Sequence, residues 1–226
     1  MDDYFSGSFK DLFNYWQKPD RAKKFTKGGT REGAIRYLLD RAEVEIHKGV
    51  WVDTAVGAGY IQSQLYDTVS PNLMIGIDFS RSMLEYASSY VEPILGSAFN
   101  LPLRNEAANI ATNIFCLSDY PDPSSAFQEL ARIVRKRGVI MFMDYSDQDG
   151  YWTIRQKYHD KDGVIGNIHL RNPKSIEEYL PVNLRIIQNL LIEYEADTSK
   201  FDERIPLPKQ LNRVFLFVEM YKPRSD

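Results

Sequence analysis

Cysteine is almost absent from this chain: Cys116 is the single one in 226 residues. One thiol forms no internal disulfide, which points to a reducing, cytoplasmic setting. Long apolar runs are missing too. Val139–Met143 and Val214–Val218 fall far short of the roughly 18 residues of a membrane span. The start, Met1-Asp2-Asp3, is acidic and has no signal-type apolar stretch. No excess of positive charge exists, with 28 Lys and Arg against 31 Asp and Glu, net −3, which argues against non-specific nucleic-acid binding. With 13 Gly and 11 Pro, collagen-like and low-complexity classes drop out. No internal repeat and no metal-ligand pattern is read. What is present is 43% hydrophobic residues, enough for a core. At about 150 residues per domain, the length suits one domain spanning 1–226 with an elaboration.

Residues 1–27 are rich in aromatics (Phe9, Phe13, Tyr15, Trp16, Phe25) and read as an N-terminal cap segment, with an amphipathic helix around Phe9–Gln17 stopped near Pro19. A second helix starts after Gly28-Gly29 and buries Ile35, Leu38, Leu39 and Ala42. From Val50 the pattern alternates. Strand-type runs at Val50–Val52, Leu73–Ile77, Pro93–Leu95, Asn109–Cys116 and Val139–Asp144 are separated by helical spacings. The helices include one capped by Ser80 or Ser82 and another over Ala126–Val134. Such alternation predicts an α/β, doubly wound, mostly parallel sheet with helices on both faces. Arg135-Lys136-Arg137 reads as a solvated turn. A short helix is expected over Ser175–Leu180. Leu184–Tyr194 and Arg213–Tyr221 have no helical pattern between them, so they pair more easily antiparallel; the long connection at 196–212 holds Pro206 and Pro208 and reads as a functional or capping loop.

Chemistry is expected at the carboxyl ends of the first strands, where open α/β sheets bind ligands. The turn Asp53-Thr54-Ala55-Val56-Gly57-Ala58-Gly59 is small and glycine-rich, which lets a ligand lie against the main chain. Asp78 ends the second strand, near the spacing at which a carboxylate meets a ribose diol. A Walker loop would need Gly-Lys-Ser/Thr, but Gly59-Tyr60-Ile61 stands here. A dinucleotide fingerprint would need glycine three residues after Gly59, where Gln62 stands. S-adenosylmethionine, which has a ribose and an amino acid but no phosphate, is the remaining ligand of the three.

Here the chain resembles the class I S-adenosylmethionine-dependent methyltransferases, in particular the small-molecule type of ubiquinone and menaquinone biosynthesis. Asp53, Ala55, Gly57 and Gly59 follow that family's acidic-x-Gly-x-Gly-x-Gly motif, with Ala55 for its first glycine. Gly76-Ile77-Asp78-Phe79-Ser80-Arg81-Ser82-Met83-Leu84 follows its second motif. Ser97-Ala98-Phe99-Asn100-Leu101-Pro102 is similar to its Asp-Ala-x-x-Leu-Pro, with serine for aspartate. Asp122-Pro123, Ala126, Glu129-Leu130 and Arg132 follow the series before its fifth strand.

The resemblance implies a Rossmann-like, seven-stranded sheet with an antiparallel last strand. It implies that Ala55, Gly57 and Gly59 line a methionine moiety, that Asp53 holds the loop or the methionine amino group, and that Asp78 takes the ribose hydroxyls. Phe79 and Met83 would flank the adenine, Ser97 and Ala98 would face its edge, and Phe115 and Leu117 would lie beneath the cofactor. Ser118 and Asp119 stand where many relatives carry a histidine pair. Methyl transfer from a sulfonium needs orientation more than a base. Candidate bases are Asp119, Tyr145, His159 and His169; His159 and His169 lie in a polar, aromatic insert at 151–171 that would face the acceptor. The expected partner is a small-molecule acceptor, with no membrane, and the chain a monomer or homodimer. The alternative is a cofactor-binding regulatory or scaffold protein without transfer activity.

Overall fold

A computed structural model describes residues 13–27, 31–46, 49–66, 73–120, 122–148, 172–182, 184–195 and 210–220. The insert at 151–171, with His159 and His169, and the connection at 196–209 lie outside the described residues. In chain order the elements are α1 (Pro19–Phe25), α2 (Glu32–Ile46), β1 (Val50–Asp53), α3 (Tyr60–Leu65), β2 (Leu73–Asp78), α4 (Arg81–Ala87), β3 (Glu92–Leu95), β4 (Ala108–Ile114), a 3-10 turn (Leu117–Asp119), α5 (Ser124–Ile133), β5 (Val134–Tyr145), α6 (Pro173–Glu177), β6 (Leu184–Glu195) and β7 (Gln210–Met220).

The sheet order is β3-β2-β1-β4-β5-β7-β6. The first five strands are parallel, and β7 runs antiparallel to both β5 and β6. The expected sheet and its antiparallel last strand are therefore present. β1 sits between β2 and β4, so the chain's progression across the sheet reverses at the β1–β4 pair and opens a crevice at their carboxyl ends.

The core explains why the inner strands read as continuous apolar runs. Alternate residues of one strand serve two separate clusters, because successive side chains point to opposite faces. Trp51, Ile110, Met141 and Met143 pack with Ile35 and Leu38 of α2 and Ile61 and Leu65 of α3. Val52, Ala111, Ile140 and Phe142 pack with Phe127 and Leu130 of α5 and Ile176 of α6. Helices thus cover both faces, as the alternation predicted. A smaller cluster of Val56, Leu84, Ala87 and Val91 seats α4 beside the glycine-rich turn.

One sequence expectation holds and one needs correction. The helical turn over 13–16 stops just before Pro19, which then opens α1 at the N-terminal position where a missing N–H is tolerated. Arg135–Arg137 do not form a separate turn. They are the exposed leading part of β5, which begins at Val134 directly after α5, with an irregular register against β4 between Ala108 and Ile110.

Candidate functional site

The carboxyl ends of β1, β2 and β4 meet at a cavity of about 850 Å3, including its mouth open to solvent. The turn after β1 is tied to both neighbouring strands. Thr54 N–H donates to the Thr112 carbonyl (2.9 Å), and Val56 N–H to the Ile77 carbonyl (3.1 Å). The buried Asn113 amide donates to Thr54 Oγ1 at 2.9 Å. This lattice fixes the turn before any ligand arrives.

Asp78 is 9% exposed at the edge of the cavity. Its Oδ2 accepts from Gly57 N–H (2.9 Å) and its Oδ1 from Ser80 N–H (2.8 Å). A carboxylate oxygen has two acceptor sites, so each keeps capacity toward the cavity. Burial pushes the carboxyl up to about 6, opposed by the backbone N–H groups of Ser80, Gly57 and Phe79. Gly57 has φ +55, and a Cβ there would meet nothing within 4 Å. Its bare Cα faces open space, which is the property a close-lying ligand needs. Gly59 differs. At φ +76 it precedes α3, and a Cβ would come within 2.9 Å of the Ala87 Cα, so its glycine serves the approach of α4. Ala55 lines the cavity and is not among the positive-φ residues, so its methyl group is accommodated.

Asp53 is 2% exposed and absent from the cavity lining. Gln62 Nε2 donates to its Oδ2 at 2.6 Å and Ala55 N–H to its Oδ1 at 3.3 Å. Of the two roles expected for Asp53, this geometry is that of holding the loop. Burial raises its pKa to about 6 against the hydrogen bonds of Gln62 and Ala55. Gln62 was singled out in the sequence only as a missing glycine; it is 1% exposed and is Asp53's partner.

Phe79, Met83, Ala98, Phe115 and Asp119 all line the cavity. Ser97 does not: it is exposed, and its Oγ accepts from Phe99 N–H (3.2 Å), closing its own turn. Leu117 is fully buried in the core cluster, so its side chain faces away from the lining. Tyr145 is not in the lining either; its ring lies 4.9 Å from that of Phe115. Phe115 has φ +56, a left-handed conformation unusual for a bulky residue and typical of functional sites. Burial, followed by the negative Asp119, Asp78 and Asp144, pushes the Cys116 thiol well above its usual range, so it stays protonated.

The described part of the aromatic N-terminal segment packs beside this site. Ser80 Oγ donates to the Trp16 carbonyl (2.7 Å), Ser82 Oγ to the Gln17 carbonyl (2.8 Å), and Gln17 Nε2 to the Phe79 carbonyl (2.9 Å). Phe13 stacks on Phe79 with centroids 5.4 Å apart. Trp16 and Phe25 line the cavity. A second clip holds the next loop: Arg132 pairs with Glu129 (2.7 Å) and donates to the carbonyls of Leu101 and Leu103, while Glu129 accepts from Leu101 N–H (2.7 Å).

A carboxylate at the strand tip, a bare turn opposite, and a slot lined by Phe79, Met83 and Ala98 fit a nucleoside bearing an amino-acid tail. Among the described residues no helix is long and apolar enough to cross a membrane. The model of the methyltransferase domain family matches residues 52–142. Two demethylmenaquinone methyltransferases are similar. That of Corynebacterium kroppenstedtii is 31% identical over 42% of this chain and 41% of its own length; that of Desulfitobacterium hafniense is 30% identical over 47% and 48%. The chain thus spans under half the length of these curated relatives. A solved structure, the YcgJ protein of Bacillus subtilis, shares the fold with a TM-score of 0.63 at 16% identity, over 85% of this chain and all of that one. The sequence motifs, the strand order and the matched segment agree: residues 52–142 of this chain are similar to the methyltransferase domain family, and the chain resembles the class I S-adenosylmethionine-dependent methyltransferases.

Proposed function

We propose that this protein transfers a methyl group to a small-molecule acceptor by in-line displacement. The observation that carries this reading is the Asp78 carboxylate, bonded to Gly57 N–H across a turn whose Cα faces open space. When bound, S-adenosylmethionine supplies a methyl group on a positively charged sulfur that is already a good leaving group.

The chain's own residues bind, orient and exclude water. Asp78 accepts from the ribose hydroxyls. The main chain of Ala55–Gly57 supports the methionine moiety, while Asp53 and Gln62 keep that turn in place. Phe79 and Met83 flank the adenine, and Ala98 borders its edge. Phe115 forms the wall at the end of β4, and Asp119, the second carboxylate of the lining beside Asp78, takes a proton from an acceptor in this reading. Trp16 and Phe25 of the cap segment close the site from water, which favours an apolar or aromatic acceptor. The names of the curated relatives support a small-molecule acceptor.

Two measurements test it. Calorimetric titration with S-adenosylhomocysteine is expected to give micromolar binding, about −8 kcal/mol. Incubation with S-adenosylmethionine and a metabolite library is expected to release S-adenosylhomocysteine with one acceptor class. Binding without turnover across the library would favour a non-transferring cofactor binder instead.

A further inference from the structure

A second cavity, of about 500 Å3 including its mouth open to solvent, shares Ala58 and Tyr60 with the wall of the first. Its other walls come from Tyr86, Tyr90 and Glu85, with Ser63 and Ser89 adding hydroxyls. Gly59 lets these pieces meet: the Cβ it lacks would stand 2.9 Å from the Ala87 Cα and 3.4 Å from the Tyr90 ring. Tyr90 is held in place by the cluster of Val56, Leu84, Ala87 and Val91, and by Tyr66, whose ring meets it edge-on with centroids 5.7 Å apart. The cavity's charge is one-sided. Glu85 is its single carboxylate, and no cationic side chain lines it among the described residues. The Glu85 carboxylate has no hydrogen bond or ion pair among the described residues. The last turn of α4 holds no basic residue, so the negative end of the helix and Glu85 lie together without a counter-charge there.

We propose that this second cavity binds a small alkylated ammonium ion. Phenol rings attract cations to their negative faces, and three of them surround one carboxylate here. The same walls disfavour other cations. A calcium-like ion takes about six or more oxygen ligands, often from several carboxylates, and a bare primary ammonium is strongly hydrated. An alkylated ammonium presents methyl groups to the rings and a single charge to Glu85. Neither Glu85 nor Tyr86 lines the cavity of Asp78, so this site stands apart from the methyl-transfer reading.

The test uses the full chain as wild type, Glu85→Gln, Tyr86→Leu and Tyr86→Phe. Both positions are exposed, so thermal melts are expected to match the wild type. Each protein is titrated at constant ionic strength with choline and with its uncharged isostere, in which carbon replaces nitrogen. Choline is expected to bind the wild type at about 1–10 mM. The isostere should bind the wild type roughly fivefold more weakly than choline. Glu85→Gln should weaken choline roughly threefold and leave the isostere unchanged. Tyr86→Leu should weaken choline by a similar factor, whereas Tyr86→Phe, which keeps the ring, should not. Equal affinity of choline and its isostere for the wild type, or no choline binding, overturns the proposal. So does choline affinity that persists in either Glu85→Gln or Tyr86→Leu, since the cation then sits elsewhere.

Discussion

Gly57 N–H donates to Asp78 Oδ2 at 2.9 Å, joining the glycine-rich turn after β1 to the carboxylate that ends β2. The two motifs are 21 positions apart, and one hydrogen bond makes them a single device. Removing the carboxylate therefore does two things at once: it takes away the acceptor facing the cavity and releases the turn.

Asp78→Asn tests this pairing. The amide keeps the shape but replaces a charged acceptor, and its NH2 faces a main-chain donor. Hydrogen bonds to charged groups contribute about 1.5–3 kcal/mol, so S-adenosylhomocysteine affinity should fall roughly ten- to hundredfold by calorimetry. Unchanged affinity would remove Asp78 from the site.

The pH response has a defined sign. Asp53 and Asp78 each titrate near 3.8 when unfolded and about 6 when folded, because burial disfavours their charged forms. Between these values the folded chain holds more protons than the unfolded one. Their contribution to stability therefore falls as pH rises from about 4 to about 6, and levels off above. Ligand binding runs the other way, because ribose hydroxyls donate best to an ionised carboxylate. Affinity for S-adenosylhomocysteine should rise up to about tenfold per pH unit below 6 and flatten above. Urea midpoints and calorimetry across pH 5 to 8 give both slopes, and Asp78→Asn should remove the binding slope.

Two glycines in one turn should fail differently. Gly59→Ala forces a Cβ to within 2.9 Å of the α4 backbone at φ +76, so it should destabilise the fold by about 1–3 kcal/mol. Gly57→Ala meets no protein atom within 4 Å and carries only the left-handed penalty, about 1 kcal/mol. Its methyl group stands where the ligand would lie. Melting temperature should report Gly59→Ala, and binding should report Gly57→Ala.

The Glu129–Arg132 clip should matter for the loop at 101–105. Arg132→Ala leaves the Leu101 and Leu103 carbonyls without this donor and Glu129 without its partner. A loss of about 1–2 kcal/mol is expected. Hydrogen exchange should rise first at residues 101–105. Arg132 holds the Glu129 carboxyl below its ordinary range, so Glu129's contribution is present above about 4.5 and is lost as pH falls through its lowered value.

Much of the site was legible because its signals are local. The turn from Asp53 to Gly59, the Ser80 cap and the run through Met83 are each written in adjacent residues. Leu117 and Ser97 were carried over by position in a motif, and side-chain direction decided otherwise. One turn of backbone sent Leu117 into the core and let Ser97 close its own loop. Gln62 carried no motif of its own, since a buried amide is recognised only by what it meets.

Periodicity sufficed to order the strands and helices and to pair the last two strands antiparallel. Those features follow from residues a few positions apart and from the handedness of parallel crossovers. Which segment packs beside the cavity, and that Asp53 faces inward while Asp78 faces the opening, were settled only by packing. Each depends on contacts between segments distant in the chain, whose meeting is fixed by sheet order and not by any neighbouring residue.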